Sequence, residues 1–378
     1  MYTIFILITI LILLNIYLSV NRKYKYIETG KNDRKWVTKS EYDELVKQSG
    51  CMIPNFIDLT DLHYKSSNFI DSVLDRSFLY KTERAAPKAL TKQSLYNMLV
   101  QKLSKDRIKQ IIVDLSSLHT RYYTSDLGAH ASEMIYNYLV SLKTDNCTVD
   151  YFNHETTSPK QRSIIAKIHS TNYNAESIIY CAHIDSINAK VSEDERETAR
   201  SPGADDNATG VSNVLEAFRI LCDTNPTKTL EFHFYAGEEQ GLRGSAEIAE
   251  FYKVSNVQVG GVLNADMTGY TTDGVTAYIV NGEDDYVDAE LVDLCFLLAK
   301  EYTHLQLKSG RCGYACSDHA SWGRYGYPSA CVSEATPKVG ELNPHNHSAH
   351  DDISNINFDY TYQHARLGLG FMVEMGFA

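Results

Sequence analysis

The chain has 378 residues, enough for one large α/β unit with a small appendage. Hydrophobic residues make up 43% and charged residues 22%, the ordinary balance of a globular protein. The net charge of −12 excludes the basic face that a nucleic-acid-binding protein needs.

In chain order, the first element is TIFILITILILLNIYLSV, residues 3–20, almost wholly apolar and followed by NRKYK. It is apolar all round, and its length lies between a signal-peptide core and a short membrane span. Residues 1–21 are read as a signal peptide or membrane anchor. The protein is then secreted or periplasmic, or alternatively membrane-anchored, touching a membrane only through this segment. Residues 22–85 form a small separate unit, in which Thr38-Lys-Ser-Glu41 is a capping box opening a helix over YDELVKQ. The polar KTERAAPKA, residues 81–89, reads as a linker into a body spanning 86–378.

That body starts with two helical stretches, 94–118 and 131–142. From about 160 onward, β-branched runs alternate with helical segments. RSIIAKIHS, SIIYCAHID, TLEFHFYAGEE, GGVLNADMTGY, VTAYIVNG and PSACVSE read as strands. Helices are expected around 211–222, 244–253, 286–302 and 362–375. This alternation argues for an α/β fold with a largely parallel sheet. Eight cysteines are too few for a disulfide scaffold, and most are expected as core thiols. Cys312 and Cys316 are the one close pair, without the second pair that a zinc knuckle needs.

Five short segments place acids or histidines just past a strand or in a loop: His183-Ile-Asp185, Gly203-Ala-Asp205-Asp206, Gly237-Glu238-Glu239, Ala265-Asp266-Met267 and His345-Asn-His347. Ligands of open α/β sheets bind at the carboxyl ends of the strands, so all five can converge on one crevice. Each segment alone has an ordinary explanation; Asp205-Asp206, for example, suits a helix cap. Two histidines with three carboxylates are together what a pair of divalent metals needs. A further acid that is not a ligand then serves as general base. Ser317-Asp318-His319 is not read as a serine triad, because consecutive residues do not face one another.

AHIDS, PGADDNATG, YAGEEQGLRGS, ADMTGY, CGYACSDHASW and NPHNHSAHDD occur in this order. Together they resemble the bacterial zinc leucyl aminopeptidases, secreted exopeptidases with two co-catalytic zinc ions. The resemblance runs from about residue 92 to the end. It implies a mixed, largely parallel central sheet flanked by helices on both faces, and an N-terminal propeptide over 22–85. It implies two zinc ions per chain: His183 and Asp266 as terminal ligands of one, Glu239 and His347 of the other, and Asp205 as the bridge. His347 opens the family's H-[ST]-x-x-D pattern, which His345 and His350 do not. Glu238 would be the general base, and Asp185 would orient His183. Cys312 and Cys316 would form the family's short-loop disulfide. A cis bond would join Asp205 and Asp206. Substrates would be the N-termini of peptides and proteins, cleaved by a monomer.

The substrate pocket departs from the leucine-preferring pattern. Met267 and Ile279 suit an apolar pocket, but Cys331 and Ser333 stand where Met and Phe are usual. This implies a roomier, more polar pocket that could favour Leu, Phe, Tyr or Lys. Two alternatives remain open from sequence: a glutaminyl cyclase or other metallo-exopeptidase of the same fold, and a binding module without metals.

Overall fold

The computed structural model describes residues 24–30, 33–48, 57–58, 86–154, 160–172, 175–282, 285–336 and 340–378. The apolar segment 3–20 and the first part of the expected linker lie outside the described residues. Among those described, no helix is long and apolar enough to cross a membrane.

Near the N-terminus, β1 (Tyr24–Gly30) pairs antiparallel with β2 (Asp33–Thr38) and with the short β3 (Ile57–Asp58). Helix α1 (Lys39–Gln48) follows β2 directly. The expected capping box is formed: Glu41 N–H donates to Thr38 Oγ1 at 3.2 Å, and Thr38 N–H donates to Glu41 Oε2 at 2.8 Å. Ile27 and Val37 make a small core of their own with Tyr42 and Leu45. Lys39 reaches the body through an ion pair with Glu193.

The body is built on eight strands: β4 (Cys147–Tyr151), β5 (Ile164–Ile168), β6 (Ser177–His183), β7 (Thr229–Tyr235), β8 (Val259–Ala265), β9 (Thr276–Val280), β10 (Gln306–Gly310) and β11 (Ser329–Ser333). Their order is β10-β9-β11-β8-β6-β7-β5-β4. The inner strands β11, β8, β6 and β7 are mutually parallel, whereas β5 runs antiparallel to both of its neighbours, β7 and β4, at one end, and β9 runs antiparallel to β11. The helices of the body are α2 (Gln93–Leu99), α3 (Lys105–Ser116), α4 (Asp126–Leu142), α5 (Gly210–Leu221), α6 (Arg243–Val254), α7 (Ala289–Tyr302), α8 (His319–Arg324) and α9 (Phe358–Gly376). This is the mixed, largely parallel sheet expected from sequence.

Strand alternation divides the core between the two faces. Ile178, Tyr180 and Ala182 of β6 join the larger cluster with residues of α5, α7 and α9. Ile179 and Cys181 join the second cluster, with Ile248 of α6 and Trp322 of α8. Every residue of β6 is buried, as a strand covered on both faces requires. The stretch 94–118, expected as one helix, is two. Leu103 is extended, and Ser104 caps a new helix by accepting the Arg107 N–H at 3.3 Å.

Candidate metal centre

Parallel pairing brings the carboxyl ends of β6, β7 and β8 to one edge of the sheet. β6 ends on His183, β7 leaves the sheet into Gly237-Glu238-Glu239, and β8 ends just before Asp266. An irregular turn over 204–209 leads into α5 and presents the Asp205-Asp206 pair. His347 arrives on the loop between β11 and α9, with φ +52°. All of these side chains are buried.

His183 Nε2 lies 3.0 Å from Asp206 Oδ1 and 3.3 Å from Asp266 Oδ1. His347 Nε2 lies 2.9 Å from Asp206 Oδ2 and 3.0 Å from Glu239 Oε2. Asp206 thus turns one carboxylate oxygen to each histidine. Ligating atoms of His183, Asp206 and Glu239 all lie within 4.8 Å of one another.

The carboxylate that lies between the two histidines is that of Asp206 and not of Asp205, unlike the expectation from sequence. The turn aims the two side chains in different directions, with Asp206 at φ −108° and ψ 92°. The Asp205 carboxylate points away from the histidines, accepting from Gly269 N–H at 2.9 Å and Asn343 Nδ2 at 3.1 Å. The cis bond is likewise one peptide further on, at Asp206–Asn207. Asn207 Oδ1 accepts the N–H of Gly210, the first residue of α5, at 3.0 Å, so neither aspartate caps that helix.

Two further aspartates hold the acidic pairs. Asp185 accepts the N–H of Glu238 at 3.0 Å and of Glu239 at 3.1 Å, one on each carboxylate oxygen. Asp351 does the same for Asp205 at 3.1 Å and Asp206 at 3.0 Å. Asp185 also faces His183, its carbonyl 3.1 Å and its carboxylate 3.5 Å from Nδ1, which leaves Nε2 toward the cluster. Ser317 donates to Asp266 Oδ2 at 2.5 Å, and His319 Nε2 contacts the Asp285 carbonyl, so Ser317-Asp318-His319 forms no triad.

Burial pulls both imidazoles down, but the carboxylates outweigh it. Glu239 and Asp206 hold His347 at about 10, and Asp266, Asp185 and Asp206 hold His183 well above its ordinary range. Burial raises Glu239 to about 7, with Asp206 adding to the rise and His347 opposing it. Burial, with Glu239, Asp318 and Asp266 nearby, pushes the Glu238 carboxyl well up against the pull of His183. The cluster without metal thus draws protons to balance its acids. Oε1 of Glu239 is buried without a hydrogen-bond partner, and His347 Nε2, although at ion-pair distance from two carboxylates, makes no well-aligned hydrogen bond. Imidazole and carboxylate atoms crowded in an acid-rich cluster fit divalent cations with nitrogen and oxygen preferences.

The sequence pattern of peptidase family M28 matches residues 163–372, more than half of the chain. The chain belongs to peptidase family M28. A leucine aminopeptidase 1 of Arthroderma otae is 36% identical over 364 residues, covering 92% of this chain and 91% of its own. A probable leucine aminopeptidase of the same organism is 34% identical over 362 residues, covering 93% and 91%. Among solved structures, LapB from Legionella pneumophila superposes with a TM-score of 0.78 at 23% identity, covering 96% of this chain and 97% of its own, which attests the fold. The resemblance to the zinc leucyl aminopeptidases holds, and so does the reading of the chain as a metallopeptidase.

The expected disulfide joins Cys312 and Cys316. It packs with Tyr314, Cys331 and Val280. Ile279 belongs to the opposite face, paired with Val332 in the larger core, while its neighbour Val280 packs beside the disulfide. Ser333 Oγ donates to the Met267 carbonyl at 3.2 Å, placing Ser333 beside Met267. His345 and His350 are exposed, so of the three nearby histidines His347 alone enters the cluster. Sequence reasoning missed Arg121 and Asn343, and gave no role to Asp351 beyond its place in the His347 pattern.

Proposed function

We propose that this M28 peptidase is a dizinc aminopeptidase, with His183 and Asp266 on one metal, His347 and Glu239 on the other, and Asp206 between them. The observation that carries this reading is the Asp206 carboxylate, 3.0 Å from one histidine and 2.9 Å from the other. A divalent pair bound there polarises the scissile carbonyl and makes a water acidic enough to react near neutral pH. Glu238, buried at the end of β7, takes the proton of the attacking water and returns it to the leaving amine. The surrounding carboxylates favour a substrate that brings a free ammonium group, the N-terminus of a peptide. The relatives' name points to an apolar first residue. Met267, Val280 and the Cys312–Cys316 loop suit it, while Ser333 leaves room for larger or more polar side chains.

Metal analysis of the mature protein tests the reading, with about two zinc per chain expected. Asp206→Asn is expected to lower kcat by about 10²–10³-fold on an aminoacyl anilide. Asp205→Asn, which disturbs the supporting hydrogen bonds to Gly269 and Asn343, is expected to cost about tenfold. One zinc per chain, or a larger loss for Asp205→Asn than for Asp206→Asn, would overturn the proposed centre.

A further inference from the structure

Arg121 is fully buried, yet its guanidinium reaches carbonyl oxygens and not a carboxylate partner at the centre. Nε donates to Ile184 O at 2.8 Å, and Nη2 to Gly203 O at 2.9 Å. Nη1 donates to Pro202 O and, at 3.5 Å, to Leu115 O. The positions of these acceptors matter. Ile184 lies between His183 and Asp185, at the end of β6. Pro202 and Gly203 lead into the turn that presents Asp206. One planar cation therefore ties the segment that carries His183 to the segment that presents Asp206, the carboxylate shared by the proposed centre.

The attachment continues on both sides. Asp185, next to Ile184, holds the backbone of Glu238-Glu239. Asp351 holds the backbone of Asp205-Asp206. Asp351, Asp185, Asp206 and Glu239 all act electrostatically on Arg121. The main chain at Arg121 is fixed as well: its N–H donates to Ser186 Oγ at 3.1 Å, and its carbonyl accepts Gln161 Nε2 at 3.1 Å. Ser186 Oγ in turn donates to Ser201 O at 2.7 Å. There is no slack at the junction. Gly203 has φ +54°, and a Cβ there would lie 2.3 Å from the Asp206 carbonyl and 2.8 Å from Arg121 Nη2.

We propose that Arg121 is a positioning residue that sets where the shared Asp206 carboxylate stands relative to His183, by fastening the end of β6 to the Asp206 turn. The proposal rests on the two-metal reading. Its fork geometry is the essential property. Lysine carries the same charge on a single nitrogen and cannot reach acceptors on both segments in one plane.

The test compares Arg121→Lys, Arg121→Met and a control, Glu374→Gln, in the full-length metal-loaded enzyme. Glu374 is a buried carboxylate on α9 that accepts from the backbone of Thr91 and Lys92 and from Tyr302, outside the centre. Three quantities are read: Tm, the stepwise zinc affinities by chelator competition, and the magnetic coupling between two Co(II) ions substituted for zinc. Arg121→Lys is expected to bind its second metal about 10–100-fold more weakly and to show altered Co–Co coupling. Glu374→Gln is expected to lower Tm while leaving both metal readouts unchanged. If Arg121→Met fails to fold, Arg121→Lys carries the comparison. Unchanged second-metal affinity and coupling in Arg121→Lys would overturn the proposal, as would metal losses in Glu374→Gln that match those of the Arg121 variants. A wild-type enzyme that binds only one metal would instead overturn the two-metal reading, a result visible before any variant is made.

Discussion

The described residues contain two buried clusters built from the same residue types, and they differ in how far the protein satisfies them. On β7, Glu231 accepts from Ser177 Oγ at 2.5 Å, Lys167 Nζ at 3.1 Å and Tyr252 Oη at 2.5 Å, and faces His233 Nε2 at 3.0 Å. The other nitrogen of His233 meets Tyr235 Oη, which accepts from Trp322 Nε1. Burial works against the Glu231 charge, but His233, Lys167 and Ser177 outweigh it and hold the carboxyl well below its usual range. Burial also keeps His233 low. At the candidate metal centre the shifts are mixed: burial works against the Asp206 charge but the two histidines hold it well below its usual range, whereas Glu239 rises to about 7 and His347 to about 10, and Glu239 Oε1 is left without a hydrogen-bond partner. A cluster whose donors are all supplied by the protein is a structural member. One that has acids and imidazoles but too few donors is built for a cation from outside.

Three experiments sharpen this contrast. The largest effect belongs to Glu238, which stands beside the metal cluster. Glu238→Gln is expected to lower kcat by about 10²–10⁴-fold with zinc content and Tm unchanged; a variant that turns over substrate at near wild-type rate would remove Glu238 from the role of base. Next is the self-sufficient cluster. Glu231→Gln is expected to cost about 3–5 kcal/mol in denaturant unfolding, since it breaks a buried, charge-paired network. Activity per folded molecule and zinc content should stay at wild-type levels. Zinc loss from Glu231→Gln would show that the two clusters are not separate.

The smallest effect concerns a histidine that has neither kind of environment. His364 on α9 is buried with both ring nitrogens unpartnered, and burial lowers its pKa to about 3. Its folded pKa is depressed below the unfolded value of 6.5. The contribution is therefore complete above pH 6.5 and is lost as pH falls toward 3, because the unfolded chain takes a proton that the folded one refuses. By pH 5 the loss is about 2 kcal/mol. His364→Phe should make the fall in stability between pH 7 and pH 5 shallower by that amount; an unchanged slope would mean that other groups set the acid sensitivity.

The inner strands were legible in the sequence because burial on both faces gives continuous β-branched and aromatic runs, as in SIIYCAH of β6. The strands that escaped sequence reading, β4 and β10, lie at the two ends of the sheet. There CTVDY and QLKSG have exposed positions and resemble loops. Four of the five proposed ligands were likewise readable, because each of His183, Glu239 and Asp266 follows a strand and His347 opens a distinctive pattern. The fifth was misplaced by one residue. Adjacent carboxylates on a turn diverge, and which one faces inward depends on backbone angles that composition does not encode. Strand alternation likewise puts Ile279 and Val280 on opposite faces, which residue type alone does not tell apart. Arg121 left no local signal: its role depends on carbonyls at positions 184, 202 and 203, supplied by chain segments remote in sequence.

That remoteness also applies to the proposed ligands, which come from positions 183, 206, 239, 266 and 347 and belong to separate elements. A zinc finger gathers its ligands within one short loop, so metal can start its folding. Here no pair of neighbouring residues offers a comparable site until β6, β7 and β8 are laid side by side. A metal held by these residues would therefore be captured late, by a sheet already formed. Because it would bind the finished fold and find no assembled site in the open chain, its uptake would draw the equilibrium toward that fold by mass action. The centre would then act as a seal on the fold, closing only around a chain that has assembled correctly and making that assembly harder to undo.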